Sequence, residues 1–417
     1  MNENTNTLLI AVDTQKKNSL FNSLESITEL KDLASTAKLH VIDTITQARK
    51  SPHNALYIGT GKVEEIKILI KDLDIKIIVA DDELTPSQHK NLEKHFEIKI
   101  MDRTSLILAI FAQRAATYEA KLQVELAQLQ YLKPRLTNMW QHLSRTAGGI
   151  GTKGPGETQL ETDKRLVDDR IKILKRKLTK VAQSRRESRK SRLKKDIMVG
   201  SIIGYTNAGK STLLNTLAND STLVEDQLFA TLDPTTRQIN TSSGEKLIIS
   251  DTVGFIQKLP TQLINSFKAT LEEVVESDFL IHVIDCNDKK LFEKIITVNK
   301  ILEDLSAAHI PILYIFNKAD LISDIVELKI KLNEYQPQCF ISASLNFGIE
   351  SFFKEVSNLL SSFKKEHTFV IGYDRMDIVN ILHEQSAVSS INYTDVITIK
   401  TLINHVLINK IMGMMDA

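Results

Sequence analysis

One turn constrains this chain more than any other feature. It reads Gly204-Tyr205-Thr206-Asn207-Ala208-Gly209-Lys210-Ser211, and it stands between the apolar run 197–203 and the helix-like segment 212–217. This is G-x-x-x-x-G-K-S in the strand–loop–helix context that a phosphate-binding loop requires. Backbone N–H groups and the helix N-terminus attract phosphate oxygens, Lys210 adds a full positive charge, and Ser211 is a ligand for Mg²⁺. The alternative is a glycine-rich turn that only joins a strand to a helix.

Three further motifs weigh against that alternative. Asp251-Thr252-Val253-Gly254 is D-x-x-G, in which Asp251 reaches Mg²⁺ through water and the Gly254 N–H bonds a terminal phosphate. Asn317-Lys318-Ala319-Asp320 is N-K-x-D, and its Asp320 carboxylate accepts two N–H bonds from guanine that adenine cannot provide. In Ser342-Ala343-Ser344 we predict that the Ala343 N–H meets the guanine oxygen. Four motifs in this order, each at a strand end, predict a P-loop GTPase with a doubly wound α/β sheet.

The spacing of apolar residues divides the chain into four predicted units. Residues 1–108 alternate short apolar runs, including 55–58, with amphipathic segments, which predicts a small α/β domain with a mainly parallel sheet. Residues 109–195 predict an antiparallel helical hairpin, whose first helix runs unbroken from Leu106 to about Leu136. Residues 196–364 form the predicted GTPase domain, and residues 365–417 a small C-terminal α/β tail.

The hairpin carries two features that simple helix packing does not require. Its tip, residues 146–156, contains the tract Gly148–Gly156, with five glycines and a proline. Its second helix carries fifteen Lys and Arg residues against three Asp and Glu residues between Lys164 and Lys195, although the whole chain has a net charge of only +1. A solvated helix face is the ordinary explanation of a charge run, but such faces normally mix signs. The pattern favours a polyanionic partner, and RNA phosphates suit a projecting arm better than a flat membrane does.

Composition argues against a thiolate metal site, a secreted protein and a membrane protein. Only Cys286 and Cys339 are present, both in apolar runs, so we expect buried reduced thiols and no thiolate metal site. The first residues lack a basic segment followed by an apolar one, and no run approaches the roughly 18 apolar residues of a membrane span. We therefore expect a soluble, cytoplasmic monomer.

Four stretches resemble the HflX family of ribosome-associated GTPases. They are Thr117–Leu129, Gly148–Gly151 with Gly154–Asp163, Gly204–Thr212 and, in the first unit, Asp82–Gln88. The resemblance spans roughly residues 7 to 360, and its glycine-rich tract belongs to no general GTPase pattern. It implies binding to the large ribosomal subunit through ribosomal RNA, by way of the tip and the basic arm. It also implies the dissociation of stalled or idle ribosomes.

The resemblance also completes the predicted nucleotide site. Spacing leaves Thr231, Thr235 and Thr236 open as the threonine that binds Mg²⁺, and the resemblance selects Thr231. The predicted catalytic residues are Lys210, Thr231 and Gly254, and the predicted Mg²⁺ ligands are Ser211, Thr231 and, through water, Asp251. The predicted site for GTP or GDP comprises Gly204, Tyr205, Thr206, Asn207, Ala208, Gly209, Lys210, Ser211, Thr212, Phe229, Ala230, Thr231, Leu232, Asp233, Asp251, Thr252, Val253, Gly254, Asn317, Lys318, Ala319, Asp320, Ser342, Ala343 and Ser344.

Two residues of the site raise questions about catalysis. Asn207 is a candidate K⁺ ligand that would act as an arginine finger does elsewhere, and the alternative is an asparagine that only braces the loop. Phe255 stands where many GTPases carry the glutamine that orients the attacking water. Because a phenyl ring cannot hydrogen-bond water, we expect slow intrinsic hydrolysis and a nearly unchanged basal rate in Phe255→Ala.

Two other functions share these motifs. One is a GTPase of ribosome assembly or RNA modification, although no cysteine nucleophile or cofactor motif for modification is visible. The other is an RNA-remodelling module with incidental GTP hydrolysis, in which the turn Gly59–Lys62 binds ATP as a second phosphate cradle.

Overall fold

The computed structural model describes residues 5–14, 20–139, 155–193, 197–218, 228–229, 235–241, 246–258, 273–403 and 405–415. The fold class predicted from the sequence is confirmed. A small α/β domain and a helical hairpin precede a P-loop GTPase domain, and a small α/β domain follows it.

The N-terminal domain alternates strands and helices. Its elements are β1 (Thr5–Asp13), α1 (Ser23–Thr36), β2 (Leu39–Ala48), α2 (Thr60–Asp72), β3 (Ile77–Ala80), α3 (Pro86–Phe96), β4 (Lys99–Asp102) and α4 (Arg103–Arg114). The sheet is parallel, with the order β2-β1-β3-β4. Leu8 and Ile10 enter the apolar cluster on one face and Leu9 enters the cluster on the other, as the two-residue repeat of a strand requires.

The strand predicted at residues 55–58 is wrong. Tyr57 has a left-handed backbone with φ of 65° and pairs only with His53, so the segment is a turn. Leu56, Tyr57 and Ile58 are nevertheless buried. The Tyr57 hydroxyl donates to Asp82 at 2.7 Å and accepts from the Val12 N–H at 3.2 Å. Side-chain burial, not sheet pairing, therefore explains this apolar run.

The unbroken first helix of the hairpin is also wrong. The chain forms two helices, α4 and α5 (Tyr118–Met139), because Ala115 is extended and Thr117 caps the second helix with its hydroxyl accepting from the Ala120 N–H at 3.1 Å. The predicted boundary at residues 108 and 109 falls within α4. Pro134 lies inside α5 without ending it.

The hairpin itself forms as predicted from α5 and α6 (Pro155–Leu193). Leu122 and Leu126 pack against Ile171 and Leu174. The Arg170 guanidinium donates to both oxygens of Glu125, at 2.6 and 2.9 Å.

A buried carboxylate fixes the hairpin to the N-terminal domain. Asp102 is fully buried and caps α4 by accepting from the Ser105 N–H at 2.8 Å. It also accepts from the Leu84 N–H and the Tyr131 hydroxyl, both at 3.0 Å. The Arg135 guanidinium stacks 3.6 Å above the Tyr131 ring. These bonds join β4, α4 and α5 at one point.

The GTPase domain is built on a six-stranded sheet. Its elements are β5 (Met198–Gly204), α7 (Lys210–Ala218), β6 (Thr235–Asn240), β7 (Lys246–Asp251), β8 (Phe279–Asp285), α8 (Leu291–Asp304), β9 (Ile312–Asn317), the 3-10 turn Ala319–Leu321, α9 (Ile325–Lys331), β10 (Gln338–Phe340) and α10 (Ile349–Ser362). The strand order is β10-β9-β8-β5-β7-β6, in which β6 runs antiparallel to β7 and the other pairs are parallel. Parallel strands bring the ends of β5, β7, β9 and β10, and hence all four motifs, to one edge of the sheet.

The C-terminal domain is a three-stranded antiparallel sheet with helices on one face. Its elements are β11 (Lys365–Ile371), the 3-10 turn Tyr373–Arg375, α11 (Met376–Gln385), β12 (Ala387–Tyr393), β13 (Ile397–Ile403) and α12 (His405–Met415), with the order β11-β13-β12. Phe369, Leu382, Ile399 and Ile411 share its apolar cluster.

Cys286 and Cys339 are buried and free, as the sequence predicts. None of the helices within the described ranges combines the length and the apolar character that crossing a membrane requires.

We expect Asp102→Ala to lower the free energy of unfolding by about 3–5 kcal/mol, because it removes a helix cap and leaves buried partners without their carboxylate. Urea unfolding monitored by circular dichroism measures the change. Asp72→Ala, at an exposed carboxylate of α2, is the control and should change stability by less than about 0.5 kcal/mol. Equal stability of the two variants would contradict the role given to Asp102.

Candidate functional site

The phosphate-binding loop joins β5 to α7 through two glycines that have no space for a side chain. Gly204 has φ of 145°, and an added Cβ would lie 2.2 Å from the Val283 carbonyl oxygen. Gly209 has φ of 92°, and its Cβ would lie 2.2 Å from Asn317 Nδ2. Only glycine fits both positions, so the loop can wrap tightly at the start of the helix.

Lys210 is buried beneath this loop. The residue is only 6% exposed, and its ammonium donates to the Tyr205 carbonyl at 2.8 Å. Desolvation lowers the pKa of Lys210 to about 8, while the nearby Asp251 carboxylate acts in the opposite direction. A bound phosphate would supply the negative charge that this buried ammonium lacks.

The residues predicted to hold Mg²⁺ lie together where the structure describes them. The Ser211 hydroxyl donates to Asp251 Oδ2 at 2.6 Å. A hydroxyl and a carboxylate are the oxygen ligands that Mg²⁺ accepts, so these residues fit the ion. Ala230, Thr231, Leu232 and Asp233, which also belong to the predicted nucleotide site, lie outside the described residues.

Asn317 ties the N-K-x-D motif to two of the others. Its amide Nδ2 donates to the Ala208 carbonyl at 2.9 Å, and its Oδ1 accepts from the Ala343 N–H at 3.0 Å. The phosphate loop and the Ser342–Ser344 segment are therefore held at fixed positions about one side chain. Here the Ala343 N–H is directed at Asn317, whereas the sequence predicted a bond to the guanine oxygen.

The other half of N-K-x-D faces outward. Lys318 has φ of 61° and pairs with Asp285 at 2.7 Å. Asp320 is exposed, and it makes no hydrogen bond or ion pair within the described ranges. This exposed carboxylate is accessible to the guanine N–H groups that the motif predicts.

The remaining predicted residues occupy the same edge of the sheet. Thr206 is buried and Thr212 is half-buried in the first turn of α7. The Thr252 hydroxyl donates to the Ile202 carbonyl at 2.6 Å, and Val253 packs against an apolar cluster shared with the N-terminal domain. Ala319 N–H donates to the Ile341 carbonyl at 3.0 Å.

Asn207 presents its side chain at the surface of the loop. Its backbone is left-handed, with φ of 61°, and the side chain is exposed. It forms no hydrogen bond within the part of the chain that the structure describes, so no observed contact gives it a bracing role. Asn207 is among the residues that line a cleft of about 450 Å³ between the loop, α1 and the start of α8.

Sequence reasoning missed the contribution of the N-terminal domain to this site. Glu29 of α1 is a buried carboxylate that accepts from the Tyr205 hydroxyl of the phosphate loop and pairs with the buried Arg103. The Phe229 ring packs edge-on against Phe111 of α4, with ring centroids 4.7 Å apart. One signal for this contribution was present in the sequence. The acidic residues Asp81 and Asp82 directly follow β3, and ligands of parallel sheets bind at the carboxyl ends of the strands.

The predicted ribosome contacts are described only in part. Residues 140–154, most of the glycine-rich tip, lie outside the described residues, as do the side chains of Arg185, Arg186 and Arg189. Lys175, Arg176 and Lys180 are exposed on α6 and form no ion pair within the described ranges. Their positive charge is therefore not balanced by neighbouring described residues.

The polar groups of the second candidate phosphate turn, Gly59–Lys62, are bonded to side chains of the N-terminal domain. The Gly59 N–H donates to Gln47 Oε1 at 2.7 Å. The Lys62 ammonium pairs with Glu65 at 2.6 Å. These contacts give no support to a nucleotide at this turn.

Three family models match the chain in order. They are described as GTP-binding GTPase N-terminal (residues 24–112), GTP-binding GTPase Middle Region (residues 114–192) and 50S ribosome-binding GTPase (residues 199–318).

Individual proteins give the same result. GTPase HflX of Escherichia coli (strain K12) is 44% identical over 346 residues, which cover 83% of this chain and 81% of that protein. GTPase HflX of Alkalihalophilus pseudofirmus is 52% identical over 301 residues, which cover 72% of this chain and 71% of that protein. Among solved structures, a crystal structure of SsGBP and GDP complex is similar with a TM-score of 0.50 and 26% identity, covering 86% of this chain and 99% of that one.

Phe255, which stands in place of the water-orienting glutamine of many GTPases, is a buried core residue. The residue is 1% exposed and packs with Ile203, Leu280 and Val298. We expect Phe255→Ala to lower the free energy of unfolding by about 3–5 kcal/mol, because it leaves a cavity. Phe255→Leu retains most of the apolar volume and should lose less than about 1.5 kcal/mol.

Urea unfolding of the two variants and the parent measures this difference. Basal GTP hydrolysis is then compared at a temperature at which all three are folded, and there we still expect nearly equal rates. An alanine variant as stable as the leucine variant would contradict the packing, and a hundredfold loss of rate in folded protein would contradict the interpretation that the ring has no chemical role.

Proposed function

This chain belongs to the HflX family of GTPases, and we propose that it hydrolyses GTP on the large ribosomal subunit and thereby separates stalled or idle ribosomes. The family establishes a GTP-binding GTPase. The ribosomal partner is supported by the matching family model, which is described as a 50S ribosome-binding GTPase.

The observation that carries the nucleotide chemistry is the convergence of the four motifs through direct bonds. Ser211 contacts Asp251, and Asn317 contacts both Ala208 and the Ala343 N–H. GTP would therefore meet positioned groups of the phosphate loop and of the two base-binding motifs, so little reorganisation of those groups accompanies binding. Asp320 would confer the preference for guanine.

We assign the hydrolysis of GTP to positioning and charge stabilisation. Lys210 would hold the β- and γ-phosphates, and the Gly254 N–H would bond the γ-phosphate. Mg²⁺ bound through Ser211, Thr231 and a water on Asp251 would neutralise phosphate charge. Because Phe255 cannot orient the attacking water, the large subunit would supply or order the group that does.

The hairpin is the proposed ribosomal contact. By the rise of 1.5 Å per residue, α6 is about 58 Å long. It carries exposed Lys175, Arg176 and Lys180 without ion-pair partners in the described ranges. Such an arm suits phosphate contacts, while the glycine-rich tip would approach RNA where side chains would clash. The four-unit division of the chain, the monomeric state and a cytoplasmic location belong to the same proposal.

We expect faster GTP turnover in K⁺ than in Na⁺, because a K⁺ ion held by the Asn207 oxygen would stabilise charge that develops between the phosphates. Steady-state phosphate release in matched KCl and NaCl buffers measures the difference for the parent and Asn207→Ala. The variant should lose the K⁺ advantage. Equal rates of the parent in the two salts, with an unchanged Asn207→Ala protein, would eliminate K⁺ from the mechanism.

Replacement of Gly149 and Gly151 by alanine should abolish GTPase activation by the large subunit, because side chains would keep the tip from RNA. GTP affinity and thermal stability should remain close to those of the parent. Charge reversal at Arg185, Arg186 and Arg189 should instead weaken association and flatten its salt dependence. Phosphate release with purified large subunits, at several salt concentrations, measures both effects.

A tip variant that large subunits still activate fully would assign docking to the basic helix alone. A parent that large subunits do not activate, but that naked RNA or assembly intermediates do, would favour the alternative GTPase of ribosome assembly.

A further inference from the structure

The residues after D-x-x-G form a strap across the phosphate loop. We use "switch strap" for Gly254–Lys258. The Thr206 N–H donates to the Phe255 carbonyl at 2.8 Å, and the Phe255 N–H donates to the Gly204 carbonyl at 3.1 Å. Tyr205 and Phe255 thus form an isolated parallel β-bridge. The strap is closed on the loop in this structure.

Closure leaves little space above Lys210. A Cβ added to Gly254 would lie 2.9 Å from the Lys210 ammonium and 3.0 Å from Thr206 Cα, so Gly254 is packed closely against both residues. A γ-phosphate would contact both the Lys210 ammonium and the Gly254 N–H. It therefore requires the strap to move away from the loop, whereas GDP lacks this group.

The Tyr205 hydroxyl connects the closed strap to the N-terminal domain. It accepts from the Gln257 N–H at 2.8 Å and donates to the Glu29 carboxylate. The Gln257 amide also donates to Glu29, at 3.3 Å. Tyr205, Gln257 and Glu29 are each less than a tenth exposed, so water does not readily replace these bonds.

Lys258, the last residue of the strap, forms ion pairs with two carboxylates of the N-terminal domain. The Lys258 ammonium lies 2.6 Å from Asp81 Oδ2 and 2.7 Å from Asp82 Oδ1. These carboxylates follow β3, and the sheet order places β1 beside β3, with β2 on the other side of β1. Ligands of parallel sheets bind at such points, where successive strands diverge.

We propose that the Tyr205 hydroxyl is the positioning group through which the N-terminal domain sets the preference between GDP and GTP. The closed strap, held by Glu29 and by Asp81 with Asp82, is compatible with GDP and excludes the γ-phosphate. GTP binding must break the bond from Gln257 to Tyr205 and withdraw Lys258. This inference rests on the proposed function, because it concerns guanine nucleotides at the same loop.

Removal of the hydroxyl affects the two strap positions unequally. In the closed position, Tyr205→Phe leaves the buried Gln257 N–H without its partner, while in the open position that N–H reaches water. An unmade buried hydrogen bond of this kind shifts an equilibrium by about tenfold. The variant should therefore bind a GTP analogue about tenfold more tightly relative to GDP, by the same arithmetic of population shift.

The test uses the full chain and two probes, GDP and the non-hydrolysable analogue guanylyl imidodiphosphate. Isothermal titration calorimetry gives both dissociation constants for the parent, Tyr205→Phe and Lys258→Met. Both variants should raise the preference for the analogue over GDP, measured as the ratio of the two dissociation constants. Glu25→Gln is the matched control on α1: its partly exposed ion pair with Lys290, at 3.3 Å, lies one turn from Glu29 and should contribute little.

An unchanged ratio of the two dissociation constants in both Tyr205→Phe and Lys258→Met would overturn the proposal. So would equal weakening of both nucleotides in Tyr205→Phe, because the hydroxyl would then support the nucleotide pocket as a whole. A parent that binds neither probe would refute the proposed function itself, which distinguishes that failure from failure of the strap. The Lys258→Met variant decides the question if Tyr205→Phe does not fold.

Discussion

The buried carboxylate of Glu29 bonds the N-terminal domain to the phosphate loop of the GTPase domain. It is 9% exposed, and burial raises its pKa while the Arg103 guanidinium opposes that shift. A buried charge is tolerated only when it is paired and hydrogen-bonded. Glu29 meets this condition with one partner from its own domain, Arg103, and two from the GTPase domain, Tyr205 and Gln257. Separation of the N-terminal domain from the phosphate loop would therefore remove the hydrogen bonds from Tyr205 and Gln257 and leave this carboxylate with Arg103.

The chemistry of the site depends on a second constraint, the absence of space at the edge of the central sheet. Gly204 approaches the Val283 carbonyl, Gly209 approaches Asn317, and Gly254 approaches Lys210. These contacts place phosphate-binding groups and base-binding groups on one rigid edge. We infer that the switch strap, Gly254–Lys258, is the movable part, because its position over Lys210 leaves little space for a γ-phosphate.

The sequence was sufficient for the fold class and for the placement of the motifs, since each motif has a fixed spacing and follows an apolar strand. It was insufficient where the decisive feature was a cap or a buried side chain. Thr117 caps a second helix where one long helix was predicted, and Tyr57 is buried without forming a strand. It also gave no indication of the bonds from Tyr205 and Gln257 to Glu29. Those partners lie 176 and 228 residues from Glu29 along the chain. Polar contacts between distant residues leave no periodic pattern.

We propose that the nucleotide state of this GTPase controls its association with the large ribosomal subunit. A closed strap bound to the N-terminal domain connects the nucleotide to the domain that carries the basic hairpin. Co-sedimentation of the full chain with purified large subunits, small subunits and naked RNA, each with GDP or a non-hydrolysable GTP analogue, tests this claim most directly. We predict retention on large subunits that is strong with the analogue and weak with GDP. Equal retention with both nucleotides, or equal binding to naked RNA and small subunits, would contradict the account.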